Sequence, residues 1–217
     1  MIKAVIFDMD GVMIDSEPLW EKTEKIMMAR KGLAYNPVYR EKIVGLGQKE
    51  SAVLLKETFS LNENIEDIID QRISVLLDIY DRELSLVRGL TELLDSVSKS
   101  TLKVALASSS PLKVIEFVLS KFDLNKYFDL VVSGDMVEHG KPSPDIYNYT
   151  AESLGLECDE CVVIEDSING VISAKSAGMY CIAIPDKRLN PDGFKKADII
   201  MSNLKCVDMQ LLTKLGV

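Results

Sequence analysis

Histidine is almost missing from this chain: of 217 residues only His139 carries an imidazole. Cysteine is scarce as well, and the one close pair, in Cys158-Asp159-Glu160-Cys161, has no second pair to complete a four-ligand zinc site. With Cys161 and Cys181 in apolar runs and Cys206 near the C-terminal tail, the thiols fit a reducing compartment, where free cysteine packs as a small hydrophobe. No apolar run approaches the roughly 20 residues that span a bilayer. The N-terminus lacks the charged, apolar and small-residue pattern of a secretory leader, since Ile2-Lys3-Ala4 leads directly into a strand pattern followed by acidic residues. Positive charge is also short: 25 Lys and Arg stand against 34 Asp and Glu, giving a formal net charge of -9 and a pI of about 4.8. No basic stripe compensates, which argues against nucleic acid or an anionic membrane as partner. A soluble, cytoplasmic monomer is expected.

What the chain does have is apolar material, 47% of its residues, enough at this length for a sizeable core in one large domain or one domain with an insertion. The run Ala4-Val5-Ile6-Phe7 reads as a strand buried on both faces. Asp8-Met9-Asp10-Gly11-Val12 follows it, placing two carboxylates where the strand ends. In an open parallel sheet that end is where ligands bind. Taken alone, Asp-x-Asp-Gly is equally a turn, with Asp accepting backbone N–H groups and Gly supplying positive φ.

From 16 to 85 the pattern is helical throughout. Ser16 stands as a helix N-cap and Pro18 as an early helical residue, with Leu19, Trp20, Ile26 and Met27 on one side. Ala52, Val53, Leu55 and Phe59 mark a second helix, and Ile65, Ile69, Ile73, Leu76 and Tyr80 a further one, on which Arg72 reads as a solvated residue. After Arg88-Gly89, strands predicted at 103–107, 130–132, 161–164, 180–184 and 198–201 alternate with helices near 90–99, 112–122, 145–154 and 168–177. Such alternation makes βαβ units on a parallel sheet, which the first strand must join to pair its backbone. The fold class is therefore α/β, a doubly wound Rossmann-like parallel-sheet core of residues 1–15 and 86–217, with a small all-helical cap domain, 16–85, inserted after the first strand.

Polar residues recur at the ends of these strands: Asp8 and Asp10, then Ser108, Ser109 and Ser110, then Lys141, then Glu165 and Asp166. Ser108 suits a phosphate oxygen beside the first exposed N–H groups before a helix, while Ser110 reads better as a helix cap. Lys141 is either a solvated surface residue or, with the other strand ends, a counter-charge to phosphate and carboxylate together. His139 reads as a loop residue. Two carboxylates at 4 Å repel by about 4 kcal/mol at an effective dielectric near 20, so Asp8, Asp10, Glu165 and Asp166 brought together call for a cation. Oxygen donors without Cys or His select Mg²⁺.

In order and spacing, Asp8-Met9-Asp10-Gly11-Val12, Ser108, Lys141-Pro142 and Glu165-Asp166 resemble the four motifs of the haloacid dehalogenase superfamily, and the chain looks like its beta-phosphoglucomutase-like phosphatase branch with a helical cap. The resemblance implies Asp8 as nucleophile forming an aspartyl-phosphate, Asp10 as general acid and then base, and Ser108, Ser109 and Lys141 as phosphate-binding residues. It implies Mg²⁺ on Asp8, the backbone carbonyl of Asp10, Glu165 and Asp166, and a close approach of the Gly11 backbone to the phosphate. Dehalogenation needs neither an acid at Asp10 nor the acidic pair, and both are present.

The cap would choose the substrate. Gly45-Leu46-Gly47-Gln48-Lys49 reads as a loop entering the site, or as a plain helix–helix turn with Gly at a C-cap. Beta-phosphoglucomutases carry a histidine about where Trp20 stands and an arginine near Gln48 or Lys49, and this departure favours hydrolysis over mutase chemistry, although Lys49 offers a point charge. Trp20 is either cap core or part of the substrate site. The expected function is a Mg²⁺-dependent phosphatase of a small phosphorylated metabolite, a sugar phosphate foremost. Beta-phosphoglucomutase is the alternative, and a non-catalytic binding module is disfavoured by the retention of Asp8, Asp10 and Lys141.

Overall fold

A computed structural model describes residues 1–36, 42–43, 46–186 and 188–215. Ala4–Phe7 (β1) is buried at every position, as a central strand covered on both faces must be. Among the described residues, the helices Glu17–Arg30 (α1), Gln48–Phe59 (α2) and Ile65–Glu83 (α3) follow, before Leu90–Val97 (α4). Strands and helices then alternate: Lys103–Ser108 (β2), Leu112–Lys121 (α5), Leu130–Ser133 (β3), Asp145–Leu154 (α6), Cys161–Glu165 (β4), Ile168–Ser176 (α7), Tyr180–Ala183 (β5), Ile199–Ile200 (β6) and Met209–Lys214 (α8).

The six strands form one sheet in the order β3-β2-β1-β4-β5-β6, and every pairing is parallel. Successive side chains point to opposite faces. Val5, Phe7, Leu106 and Ile164 therefore enter one apolar cluster, with Leu94 and Val118. Ala4, Ile6, Ala107 and Val163 enter the other, with Tyr147 and Val171. The strand order reverses between β1 and β4, so the ligand crevice of a doubly wound sheet opens beyond the ends of these two strands. Asp8 and Glu165 stand at those ends.

Several strand ends differ from the sequence pattern by a residue. Ser108 and Ser133 pair as the last rung of β2 and β3, and Glu165 pairs with Ala183, so these polar residues close the strands rather than follow them. At the sheet edge β6 is only Ile199–Ile200, because one neighbour alone supports it.

In the inserted segment, α1 packs on α3 and α3 on α2. The buried side of α1 holds Leu19, Trp20, Met27 and Met28, but also Glu17, Thr23 and Glu24, while Ile26 is only half-buried. Arg72 is not solvated: it is 3% exposed and its Nη2 donates to Glu24 Oε1 at 2.7 Å. An ion pair between two helices lets both charges leave water together, which the periodicity of either helix alone does not register. Gly47 precedes α2 as its N-cap, and Gly45 lies outside the described residues. The two connections into this segment are joined to each other, Asp15 N donating to Ser85 O at 3.1 Å and Val87 N to Met13 O at 2.9 Å. Among the described residues no helix is long and apolar enough to cross a membrane.

Candidate active site

β1 delivers Asp8 into the crevice, where it is 6% exposed. Lys141, from the loop before α6, is 4% exposed, and its Nζ lies 2.6 Å from Asp8 Oδ1 and 2.6 Å from Glu165 Oε1. Its ammonium also sits over the Tyr147 ring, with Nζ 5.0 Å from the centroid. Burial alone would lower the Lys141 pKa, but Asp8 and Glu165 outweigh it and hold the ammonium charged well above the ordinary range.

Glu165, fully buried at the end of β4, has both oxygens engaged. Oε1 accepts from Lys141 and from the Tyr147 hydroxyl at 2.8 Å; Oε2 accepts from the backbone N–H groups of Asp166 and Ser167 and from Ser167 Oγ, at 3.0 to 3.1 Å. Burial pushes its pKa up, but Lys141 and these hydrogen bonds more than offset that, leaving it below the usual carboxylate range. Asp8 goes the other way. Burial dominates, with Glu165 and Asp10 adding repulsion, and its pKa rises to about 8 despite Lys141. Asp166 is raised well above its ordinary value by burial and by the charges of Glu165 and Asp8.

Carboxylate oxygens of Asp8, Glu165 and Asp166 all lie within 4.8 Å of one another. Buried oxygen donors that resist ionisation side by side are what a hard divalent cation relieves, and they are the donor type Mg²⁺ prefers. The residues present therefore fit that ion. Both oxygens of Glu165 are tied down in this web, whereas Asp8 is tied to it only through Oδ1, which accepts from Lys141. Gly11, at φ +78°, passes so close that a Cβ there would lie 1.8 Å from Asp166 Oδ2. The Gly11 backbone therefore passes against the Asp166 carboxylate.

Asp10 is anchored from three elements. Ser110 Oγ donates to its Oδ2 at 2.8 Å, and Oδ1 accepts from Trp20 Nε1 at 2.9 Å and from the Tyr80 hydroxyl at 3.3 Å. Burial and the Asp10 charge raise the Tyr80 pKa well above 10, so the phenol stays a donor. Ser110 therefore serves the site rather than capping α5, whose N-cap is Pro111; the Leu112 N–H is met instead by Asp135 Oδ2 at 2.9 Å. Trp20 is both packed and polar in role, lying under Arg72 with Cζ 4.6 Å from the ring centroid.

One cavity of about 60 Å³ brings together Asp8, Asp10, Ser108, Ser109, Lys141 and Asp166 with Trp20 and Gln48. Glu165 stands behind its wall. Lys49 does not line this cavity; it lines an adjoining groove of about 460 Å³ that shares Gln48, Ser109 and Lys141. His139 is exposed in the loop, its Nδ1 3.0 Å from Asp145 Oδ2, and all four cysteines are free thiols. Sequence reading missed Tyr80, Tyr147, Ser167 and Glu17. The two tyrosines sit on helix faces that look purely apolar in sequence, and only Ser167, next to the acidic pair, carried a local signal.

The family description haloacid dehalogenase-like hydrolase matches residues 5–184. Over 178 residues the chain is 35% identical to a phosphorylated carbohydrates phosphatase of Thermotoga maritima, covering 82% of each chain. It is 34% identical over 208 residues to hexitol phosphatase B of Escherichia coli, covering 94% of this chain and 93% of that one. The crystal structure of CbbY from Rhodobacter sphaeroides in complex with phosphate matches with a TM-score of 0.86 at 27% identity, over 94% of this chain and 96% of that one. With a family match across most of its length and a site at the switch point of its sheet, the chain belongs to the haloacid dehalogenase-like hydrolase family.

Proposed function

We propose that this chain is a Mg²⁺-dependent phosphatase of small phosphorylated sugars or sugar alcohols, acting through an aspartyl-phosphate on Asp8. The observation that carries this reading is the meeting of Asp8, Lys141 and Asp166 in one cavity with a separately anchored Asp10. The names of the similar phosphatases support the substrate class.

Residues 16–85 act as a cap on a core of 1–15 and 86–217, closing about the paired connections at Asp15 and Val87. Lys141 orients Asp8 and, with Ser108 and Ser109, holds the phosphoryl oxygens. An Asp8 oxygen attacks phosphorus, the ester P–O bond breaks, and the departing oxygen takes a proton from Asp10. Water then attacks the aspartyl-phosphate, its proton passing to Asp10, and the bond to Asp8 breaks to release phosphate. Mg²⁺, held by Asp8, Asp166 and the Asp10 carbonyl, would supply charge neutralisation for the transferring phosphoryl group. The groove beyond Gln48 gives a longer leaving group room to extend. The net charge of -9 agrees with a protein that engages neither nucleic acid nor membranes, and we take it as a cytoplasmic monomer.

The test is incubation with Mg²⁺ and a panel of hexose, pentose and hexitol phosphates, measuring free phosphate and isomerised sugar phosphate separately. Phosphate release lost on chelation and in Asp8→Asn is expected. Isomerisation with little release, or turnover that survives Asp8→Asn, would overturn the reading.

A further inference from the structure

Resting on that phosphatase reading, we propose that Tyr147 is a positioning residue: its hydroxyl shares the Glu165 oxygen that grips Lys141, and so keeps the ammonium available to the phosphoryl group. The ring of Tyr147 needs no such explanation. It stands in the first turn of α6 at zero exposure, packed in the apolar cluster of Ile6, Ala107 and Val163. A phenylalanine ring fills that space equally well. The hydroxyl is another matter, because a polar group taken out of water costs free energy unless it finds a partner. Its partner is Glu165 Oε1 at 2.8 Å, the same atom that accepts from Lys141 Nζ at 2.6 Å, and since that oxygen is an acceptor the phenol donates. Tyr147 does not line the cavity, so it reaches the phosphoryl group only through its neighbours.

Lysine carries three N–H donors on a flexible stem, so its direction is set by its acceptors. Lys141 has Asp8 Oδ1 at 2.6 Å, Glu165 Oε1 at 2.6 Å and, only loosely, Ala107 O at 3.4 Å. The loosely held donor is the one a phosphoryl oxygen can claim. Glu165 Oε2 is occupied by Asp166 N, Ser167 N and Ser167 Oγ, and the carboxyl is walled in by Gly170, where a Cβ would lie 1.8 Å from Oε1. The glutamate therefore keeps its place with or without the phenol. What the phenol changes is how hard Oε1 pulls, because its O–H dipole offsets part of the oxygen's negative charge at a site where little water screens it. Without the hydroxyl, Lys141 leans on Glu165 at the expense of Asp8 and of the incoming phosphate. The ring face, 5.0 Å from Nζ, remains and does not correct this.

Tyr147→Phe removes the hydroxyl and keeps the ring. With inorganic phosphate and Mg²⁺ as the probe, calorimetric titration should show the dissociation constant rising at least about fivefold, a part of what a hydrogen bond to a charged group is worth. KM for the best ester of the panel should rise with it. A purely structural role would leave an inactive fraction, lowering kcat while KM and phosphate affinity stay unmoved, and that result overturns the proposal. So does a wild-type protein that binds no phosphate. If Tyr147→Phe fails to fold, 3-fluorotyrosine incorporated at position 147 takes its place: its ¹⁹F resonance should move on addition of phosphate, and an unmoved resonance refutes the coupling. Phosphate binding that weakens as stated, with no release from any ester, strikes the phosphatase reading alone. Release from the panel with an unmoved phosphate affinity strikes the role of Tyr147 alone.

Discussion

Replacing Gly170 by Ala is the most telling perturbation, because local and tertiary physics pull in opposite directions. Gly170 lies in the first turn of α7, and in an ordinary helix Gly→Ala gains up to about 1 kcal/mol. Here the new Cβ would fall 1.8 Å from Glu165 Oε1 and 1.9 Å from its Cδ. The glutamate cannot step aside without loss, since that same oxygen accepts from Lys141 at 2.6 Å and from Tyr147 at 2.8 Å in a site with no exposure. Breaking a buried ion pair costs about 3–5 kcal/mol, so the net destabilisation should be about 2–4 kcal/mol after the helix gain. At about 2–4 °C per kcal/mol for a chain of this size, thermal unfolding followed by circular dichroism should fall by about 5–15 °C. Phosphatase activity should fall with it, because Lys141 loses one of the two carboxylates that fix it. A Gly170→Ala protein that melts at or above the wild-type temperature would refute the claim that the Glu165 web is both rigid and worth several kcal/mol.

Trp20→Phe removes the Nε1 donor to Asp10, a hydrogen bond to a charged group worth about 1.5–3 kcal/mol, together with part of the ring that packs under Arg72. kcat on alkyl phosphates should drop by about tenfold or more, and much less on p-nitrophenyl phosphate, whose leaving group needs little protonation; equal losses on both would sink the link to Asp10. Arg72→Met takes the guanidinium from Glu24, which is at zero exposure and keeps the Tyr35 hydroxyl at 3.1 Å, and should lower stability by about 3–5 kcal/mol in urea unfolding, whereas adding Glu24→Leu should recover part of it. A loss below about 1 kcal/mol for the single variant would contradict that pair's burial. His139, the one imidazole, should titrate above 6.5 by NMR, because Asp145 hydrogen-bonds it and Glu138 and Asp145 add their charge. A raised folded pKa means its contribution is complete below the unfolded value and disappears as pH rises through the folded one. Asp145→Asn should bring the midpoint back toward 6.5, and an unmoved midpoint would refute the pairing.

The parts of this site that can be read along the chain are those set by local rules. A buried parallel strand is an apolar run with an abrupt polar end, so β1, β2 and β4 announce Asp8, Ser108 and Glu165 directly, and the alternation with helices places those ends on one edge. Even there the reading slips by a residue at Ser108 and Glu165, because polar residues that find buried partners extend the ladder instead of ending it. Arg72 and Glu24 are 48 positions apart, and each looks like an ordinary polar residue on its own helix. Only the packing of α3 on α1 makes them one neutral unit beneath Trp20. Ser110 illustrates the same limit at short range, since hydroxyl before a proline-started helix satisfies the capping rule until Asp135, 25 residues away, takes the cap and frees the serine for Asp10. The strand-end residues are therefore legible from local rules, while the donors to Asp10 on Trp20 and Tyr80, and the pairing of Arg72 with Glu24, lie on helices whose polar members meet only across the fold.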